Sequence, residues 1–129
     1  MGERLKGAHV LVIEDEPVFA WEVTGLIQAD GADVVGPASS IGEAIACLSR
    51  CQPDAAVLDW RLLDGVAHPL AVTLEQRGIP FAFHTADEDT VRNLWPLRPI
   101  LAKGQPQLLV PCLVGMLAPV RPACTAVRT

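Results

Sequence analysis

The chain has 129 residues, half of them hydrophobic and 19% charged, with a formal net charge of -5. That length suits one domain with a single core and leaves little room for a second module, and the composition is far from that of a disordered chain. The ten Lys and Arg are scattered and outnumbered by fifteen acids, which argues against a nucleic-acid partner, and no apolar stretch approaches membrane-spanning length. Met1 to Gly7 is polar and lacks the apolar segment of a secretory signal, so no membrane partner and a cytoplasmic location are expected. Cys47, Cys51 and Cys112 show no metal spacing with partner histidines and read as small apolar fillers in a reducing compartment, with Cys124 exposed in a tail.

In chain order, His9 to Ile13 predicts a first strand, and Pro17, suited to a first helical turn, opens a helix with Phe19, Val23, Leu26 and Ile27 as its buried stripe. Gly31 ends that helix, and Asp33 to Gly36 is a short second strand. Ser40 with Glu43 forms a capping box for a second helix, on which Ile41, Ala44, Ile45 and Leu48 face inward. Ala55 to Asp59 is a third strand. A loop through Asp64-Gly65 leads to a helix from about Ala67 to Gln76, closed by Gly78, with Pro69 fitting only near its start. Pro80 to His84 gives a fourth strand, Asp87 to Leu94 a short helix cut by Pro96, and Ile100 to Ala102 a fifth strand. Leu109, Cys112, Leu113, Met116 and Leu117 stripe a last helix that Pro111 either kinks or begins. The expected domain covers 8–118, with a disordered tail over 119–129. Five strands alternating with five helices predict an α/β doubly wound sandwich around a five-stranded parallel sheet, because parallel strands need right-handed crossovers and helices on both faces.

Four apolar strand runs end in polar residues of different kinds: Glu14-Asp15, Asp59, Thr85 and Lys103. Sheets of this class place their chemistry in the crevice beyond the strand carboxyl ends, so these acids, a hydroxyl and an amine should converge. Like-charged carboxylates at close range call for a cation, and magnesium suits an all-oxygen donor set. Glu14 and Asp15 also suit the N-terminal dipole of the first helix, and Glu16 is better read in that role alone. His9, His68 and His84 are lone histidines on strands or loops and read as structural.

The motif order resembles the receiver domain of two-component response regulators over roughly Ala8 to Leu117. The pieces are Val-Ile-Glu-Asp-Glu-Pro at 12–17, Ala-Val-Leu-Asp at 56–59, Asp64-Gly65, Phe-His-Thr-Ala at 83–86 and Leu-Ala-Lys at 101–103. Val-Val-Gly-Pro-Ala-Ser-Ser at 34–40 and Gly-Ile-Pro-Phe at 78–81 are similar to stand-alone alphaproteobacterial receivers. The resemblance implies a flavodoxin/CheY-like strand order 2-1-3-4-5. It implies Asp59 as phosphoacceptor, Thr85 and Lys103 as phosphoryl contacts, and Mg2+ held by Asp15, Asp59 and the Arg61 carbonyl, with Glu14 acting through water. A histidine kinase or phosphotransfer protein would be the donor and a downstream protein the target, with no enzymatic turnover. Output would use the fourth helix, fifth strand and fifth helix, a surface that also admits a homodimer. Either the output is another protein or the domain is excised from a longer polypeptide.

The chain departs from that pattern on one side. Ile100 stands where receivers commonly carry an aromatic, Gly104 follows Lys103 where most have a cis-proline, and Ala86-Asp87 replaces a Gly-Tyr pair. Arg61 and Asp87, two residues beyond Asp59 and Thr85, either pair across the site entrance and slow phosphoryl loss or are two solvated charges. The alternative reading is a phosphorylation-independent interaction module on the same fold. A phosphatase or flavoprotein fits poorly, because Arg61 stands where the first wants an acid and Glu14-Asp15-Glu16 where the second wants hydroxyls.

Overall fold

The computed structural model describes residues 3–117. The expected boundary at residue 118, the expected tail over 119–129 and Cys124 lie outside the described residues. The elements are β1 (His9–Ile13), α1 (Pro17–Ala29), β2 (Asp33–Ala38), α2 (Ile41–Arg50), β3 (Ala55–Leu58), β4 (Arg61–Leu62), β5 (Gly65–Val66), α3 (His68–Gln76), β6 (Phe81–Thr85), α4 (Glu88–Leu94), β7 (Ile100–Ala102) and α5 (Leu109–Leu117). A 3-10 turn over Pro106–Leu108 precedes α5, so Pro111 falls in the first helical turn, where its missing N–H costs no helical bond.

Five strands form one sheet in the order β2-β1-β3-β6-β7 with every neighbouring pair parallel. This is the expected 2-1-3-4-5 order once the two-residue strands β4 and β5 are set aside. Side chains alternate across the sheet and build two core layers. Leu11, Ile13, Leu58, Phe81 and Phe83 meet α2, α3 and Val91 of α4 on one face. Val10, Val12, Val57 and Ala82 meet Val23 and Ile27 of α1 and Leu113 of α5 on the other. With helices on both faces the central strands are apolar throughout, which is why they read as unbroken hydrophobic runs.

Four local details differ from expectation, the first being that β2 runs to Ala38, two residues past the expected Gly36. The Asp64-Gly65 loop carries a small antiparallel ladder, with Arg61 opposite Val66 and Leu62 opposite Gly65. On α2, Ile45 is 43% exposed and Cys47 is buried instead, because the inward line through Ala44 continues at the next turn to Cys47 and Leu48 and leaves Ile45 on the flank. Ser40 Oγ accepts the Glu43 N–H at 3.0 Å as a cap should. Glu43 instead reaches back to the N–H and hydroxyl of Ser39, at 2.7 and 2.9 Å. The two remaining first-turn donors, Ile41 and Gly42 N–H, go to the Asp64 carboxylate at 2.7 and 3.1 Å. The loop after β3 is thereby tied to the start of α2.

Candidate functional site

Backbone bonds set the acids in place. Beyond β1, Glu14 N–H donates to Ala38 at 2.8 Å, and beyond β3, Asp59 N–H donates to Ile13 at 2.9 Å. Each acid therefore continues a sheet ladder by one residue, which fixes its carboxylate at the carboxyl edge of the sheet. A cavity of about 290 Å³ opens there, lined by Asp15, Glu16, Asp59, Arg61, Thr85, Ala86, Asp87 and Lys103. Every side chain expected at the strand ends thus gathers at one edge.

Lys103 is the hub. Its Nζ lies 2.6 Å from Glu16 Oε1, 2.9 Å from Asp59 Oδ2 and 3.0 Å from Glu14 Oε2, and it sits 4.8 Å above the centre of the Phe19 ring. Burial lowers the affinity of this amine for its proton, but bonds to Glu16, Asp59 and Glu14 outweigh that and hold its pKa above the ordinary lysine value. Gly104 then turns the chain with φ +101°, a left-handed conformation that suits glycine.

One ammonium cannot serve all the acids equally. Burial, and next the Glu14 carboxyl, push Asp59 up to about 7, with Lys103 opposing the rise. Burial also acts to raise Glu14, yet the nearby His84, Asp59 and Lys103 side chains and the Glu16 N–H bring it down to about 2. Glu14 therefore takes the ionised place in the pair, and Asp59 is the carboxyl that most needs a further positive charge. Carboxylate oxygens of Glu14, Asp15, Glu16 and Asp59 all lie within 4.8 Å of one another. An all-oxygen, acid-rich cluster of this size has the donor chemistry that magnesium prefers.

Thr85 is 1% exposed, and its Oγ1 accepts the Asp87 N–H at 3.0 Å, which leaves the hydroxyl proton free to donate. Arg61 and Asp87 do meet, Arg61 Nε donating to Asp87 Oδ2 at 2.6 Å at the cavity edge, with the Arg61 side chain 67% exposed. Glu16, assigned to the α1 dipole alone, sits at the N-cap with no side-chain cap bond and reaches Lys103 instead. The unbroken acid run after β1 was the signal for it. His68 is structural, accepting the Trp95 indole N–H at 3.2 Å, and His9 lies at the start of β1 beside Asp33 and Asp54, with nitrogen–oxygen distances of 3.6 and 3.7 Å. His84, read as structural, is buried against Glu14 at 3.4 Å and so belongs to the site's surroundings. Among the described residues, no helix is long and apolar enough to cross a membrane.

No family model matches the chain. The DNA-binding transcriptional activator DevR/DosR of Mycobacterium tuberculosis is 44% identical over 57 residues, 43% of this chain and 26% of that protein. A protein-glutamate methylesterase/protein-glutamine glutaminase of Hahella chejuensis is 34% identical over 59 residues, 44% of this chain and 17% of that protein. The chain thus spans only a minor part of either relative. Among solved structures, SdrG from Sphingomonas melonis is 31% identical with a TM-score of 0.72, matching 86% of this chain and 97% of that one. The receiver domain of the Erythrobacter litoralis response regulator PhyR has the same fold, with a TM-score of 0.73, 24% identity, and coverage of 90% and 97%. Sheet order, strand-end residues and these likenesses agree: the chain belongs to the receiver domains of two-component response regulators.

Proposed function

We propose that this receiver, taken as residues 8–118, is a phosphoacceptor that carries its signal on Asp59. The observation that supports this most is the joint hold of Lys103 Nζ on Asp59 and Glu14, at 2.9 and 3.0 Å, beside the buried Thr85. An Asp59 carboxylate oxygen attacks the phosphorus of a phosphohistidine on a kinase or phosphotransfer protein. The P–O bond forms as the P–N bond breaks, and the departing imidazole keeps the electron pair. Lys103 and the Thr85 hydroxyl then face the transferred oxygens, supplying positive charge and a hydrogen bond where negative charge gathers.

Asp15, Asp59 and the Arg61 carbonyl would hold Mg2+, with Glu14 acting through water. Bound there, the cation offsets the charge of the acids and of the incoming phosphoryl group. The added charge biases the loops that carry Thr85 and Lys103, and the signal passes by protein contact through the α4, β7 and α5 surface. On this reading the chain is a cytoplasmic signalling module and performs no turnover of its own. Its target is a separate protein, a further part of a longer polypeptide, or a second copy meeting the same surface.

The test is intact mass after incubation with magnesium and a small phosphodonor, with Asp59→Asn as control. One added phosphoryl group on the wild type and none on the variant is the expected result. A second reading, a phosphorylation-independent interaction module, draws on Ile100 in place of an aromatic and on Gly104 after the lysine. It requires that no phosphoryl mass appear and that magnesium not bind.

A further inference from the structure

We propose that His84 is a positioning residue for Glu14 and, through it, for the cation site, an inference that rests on the phosphoacceptor reading. Ala82 faces the α1 and α5 layer, and two residues on, His84 faces the same way. There it is 5% exposed. Its Nδ1 is buried and has no hydrogen-bond partner among the described residues, yet it lies 3.4 Å from Glu14 Oε1. The other Glu14 oxygen is already taken: Oε2 accepts from Lys103 Nζ at 3.0 Å and from the Glu16 N–H at 3.2 Å. The two oxygens of the carboxylate thus have different neighbours, the Lys103 ammonium with a backbone amide at Oε2 and an imidazole at Oε1.

The imidazole itself has little freedom. Phe19 packs edge-on against it, with ring centres 5.8 Å apart and planes at 76°. A buried polar atom beside a carboxylate and short of a normal bond is expensive to keep unless a small shift completes the bond. The neutral tautomer with hydrogen on Nδ1 is sufficient to complete it. When a cation joins the cluster, Lys103 no longer has to neutralise three carboxylates and is free to turn to the phosphoryl group. Glu14 would then lose a donor on Oε2, and His84 would be the neighbouring side chain left to orient it. Magnesium tolerates little misorientation of its oxygen surroundings, so a support of this kind should appear as affinity.

The test is a magnesium titration followed by backbone amide shifts of Asp15 and Asp59, with the amide spectrum also reporting the fold. Wild type, His84→Leu, His84→Asn, Glu14→Gln and the Glu14→Gln/His84→Leu double variant are compared. We expect His84→Leu to weaken magnesium binding about 10-fold, and His84→Asn, which keeps a donor, to recover most of it. In the Glu14→Gln background, His84→Leu should add no more than about twofold, because the two residues act as one unit. Unchanged binding in His84→Leu, or the same loss with and without Glu14, overturns the proposal while leaving the phosphoacceptor reading intact. Should His84→Leu fail to fold, His84→Ala carries the same comparison. A folded wild type that gives no magnesium response overturns the phosphoacceptor reading, and this proposal with it.

Discussion

Replacing Asp59 by Asn should stabilise the metal-free protein at pH 8 and flatten its stability profile between pH 5 and pH 7.5. Asp59 is 4% exposed and has its pKa raised from 3.8 to about 7, first by burial and next by Glu14. Between those values the folded chain holds a proton that the unfolded chain has released, so stability falls as pH rises, and above about 7 the full cost is present. The distance from 3.8 to about 7 corresponds to at most about 4 kcal/mol at about 1.36 kcal/mol per pH unit. Asparagine removes that cost and weakens one of three Lys103 contacts, worth about 1–3 kcal/mol for a bond to a charged group, so a net gain of about 1–3 kcal/mol remains. Glu14, with its pKa lowered to about 2, contributes stability that is lost only as pH falls below the ordinary carboxylate range. It adds no slope above pH 5. The assay is urea unfolding in chelator at pH 5 and pH 8, and comparing the two proteins cancels the other titrating groups. Parallel pH profiles, or an Asn variant less stable than wild type at pH 8, would refute the reasoning.

Two further outcomes follow from contacts around the site. The exposed Arg61–Asp87 pair adds little stability, but it stands at the cavity edge, so Arg61→Asn should shorten the lifetime of the phosphorylated protein several-fold, read by loss of phosphoryl mass with time. An unchanged lifetime defeats the idea that the pair slows phosphoryl loss. Trp95 packs on Phe81 and Phe83 at ring-centre distances of 5.7 and 6.3 Å and donates its indole N–H to His68. Trp95→Ala should cost about 2–4 kcal/mol in urea unfolding, and a smaller loss from Trp95→Phe would separate the packing share from the hydrogen bond.

The five principal strands and the gathering of Glu14, Asp15, Asp59, Thr85 and Lys103 were legible because both follow from short-range rules. Strands buried on both faces read as unbroken apolar runs, and a parallel sheet presents all its carboxyl ends at one edge. What escaped were facts of distance. Nothing near Asp64 in the sequence says that its carboxylate caps a helix 22 residues earlier. Nor does the hairpin of Arg61 and Val66 show in a stretch without period-two alternation long enough to register. The contacts of Glu16 and His84 were missed for a related reason: each sits where a local rule gives an adequate role, a helix-dipole acid or a strand histidine. Only the fold brings Lys103 to the first and Glu14 to the second.

The division of the site follows from which groups the backbone holds. Glu14 and Asp59 are extensions of β1 and β3, each pinned by a sheet hydrogen bond, and they change little without disturbing the sheet. Lys103 is held otherwise: its N–H makes a long 3.4 Å bond to Thr85, Gly104 follows it, and its side chain is fixed by the three carboxylates. The position of its ammonium is therefore set by where negative charge lies, and a cation or a phosphoryl group changes that distribution directly. Replacing proline by Gly104 after the lysine removes a backbone restraint that these electrostatic contacts replace. Ile100 brings no ring to β7, but Phe83, two residues before Thr85 on β6, touches both Trp60 beside Asp59 and Trp95 at the end of α4. In this chain the packed aromatic layer beneath the site runs unbroken from the residue next to Asp59 to the end of α4.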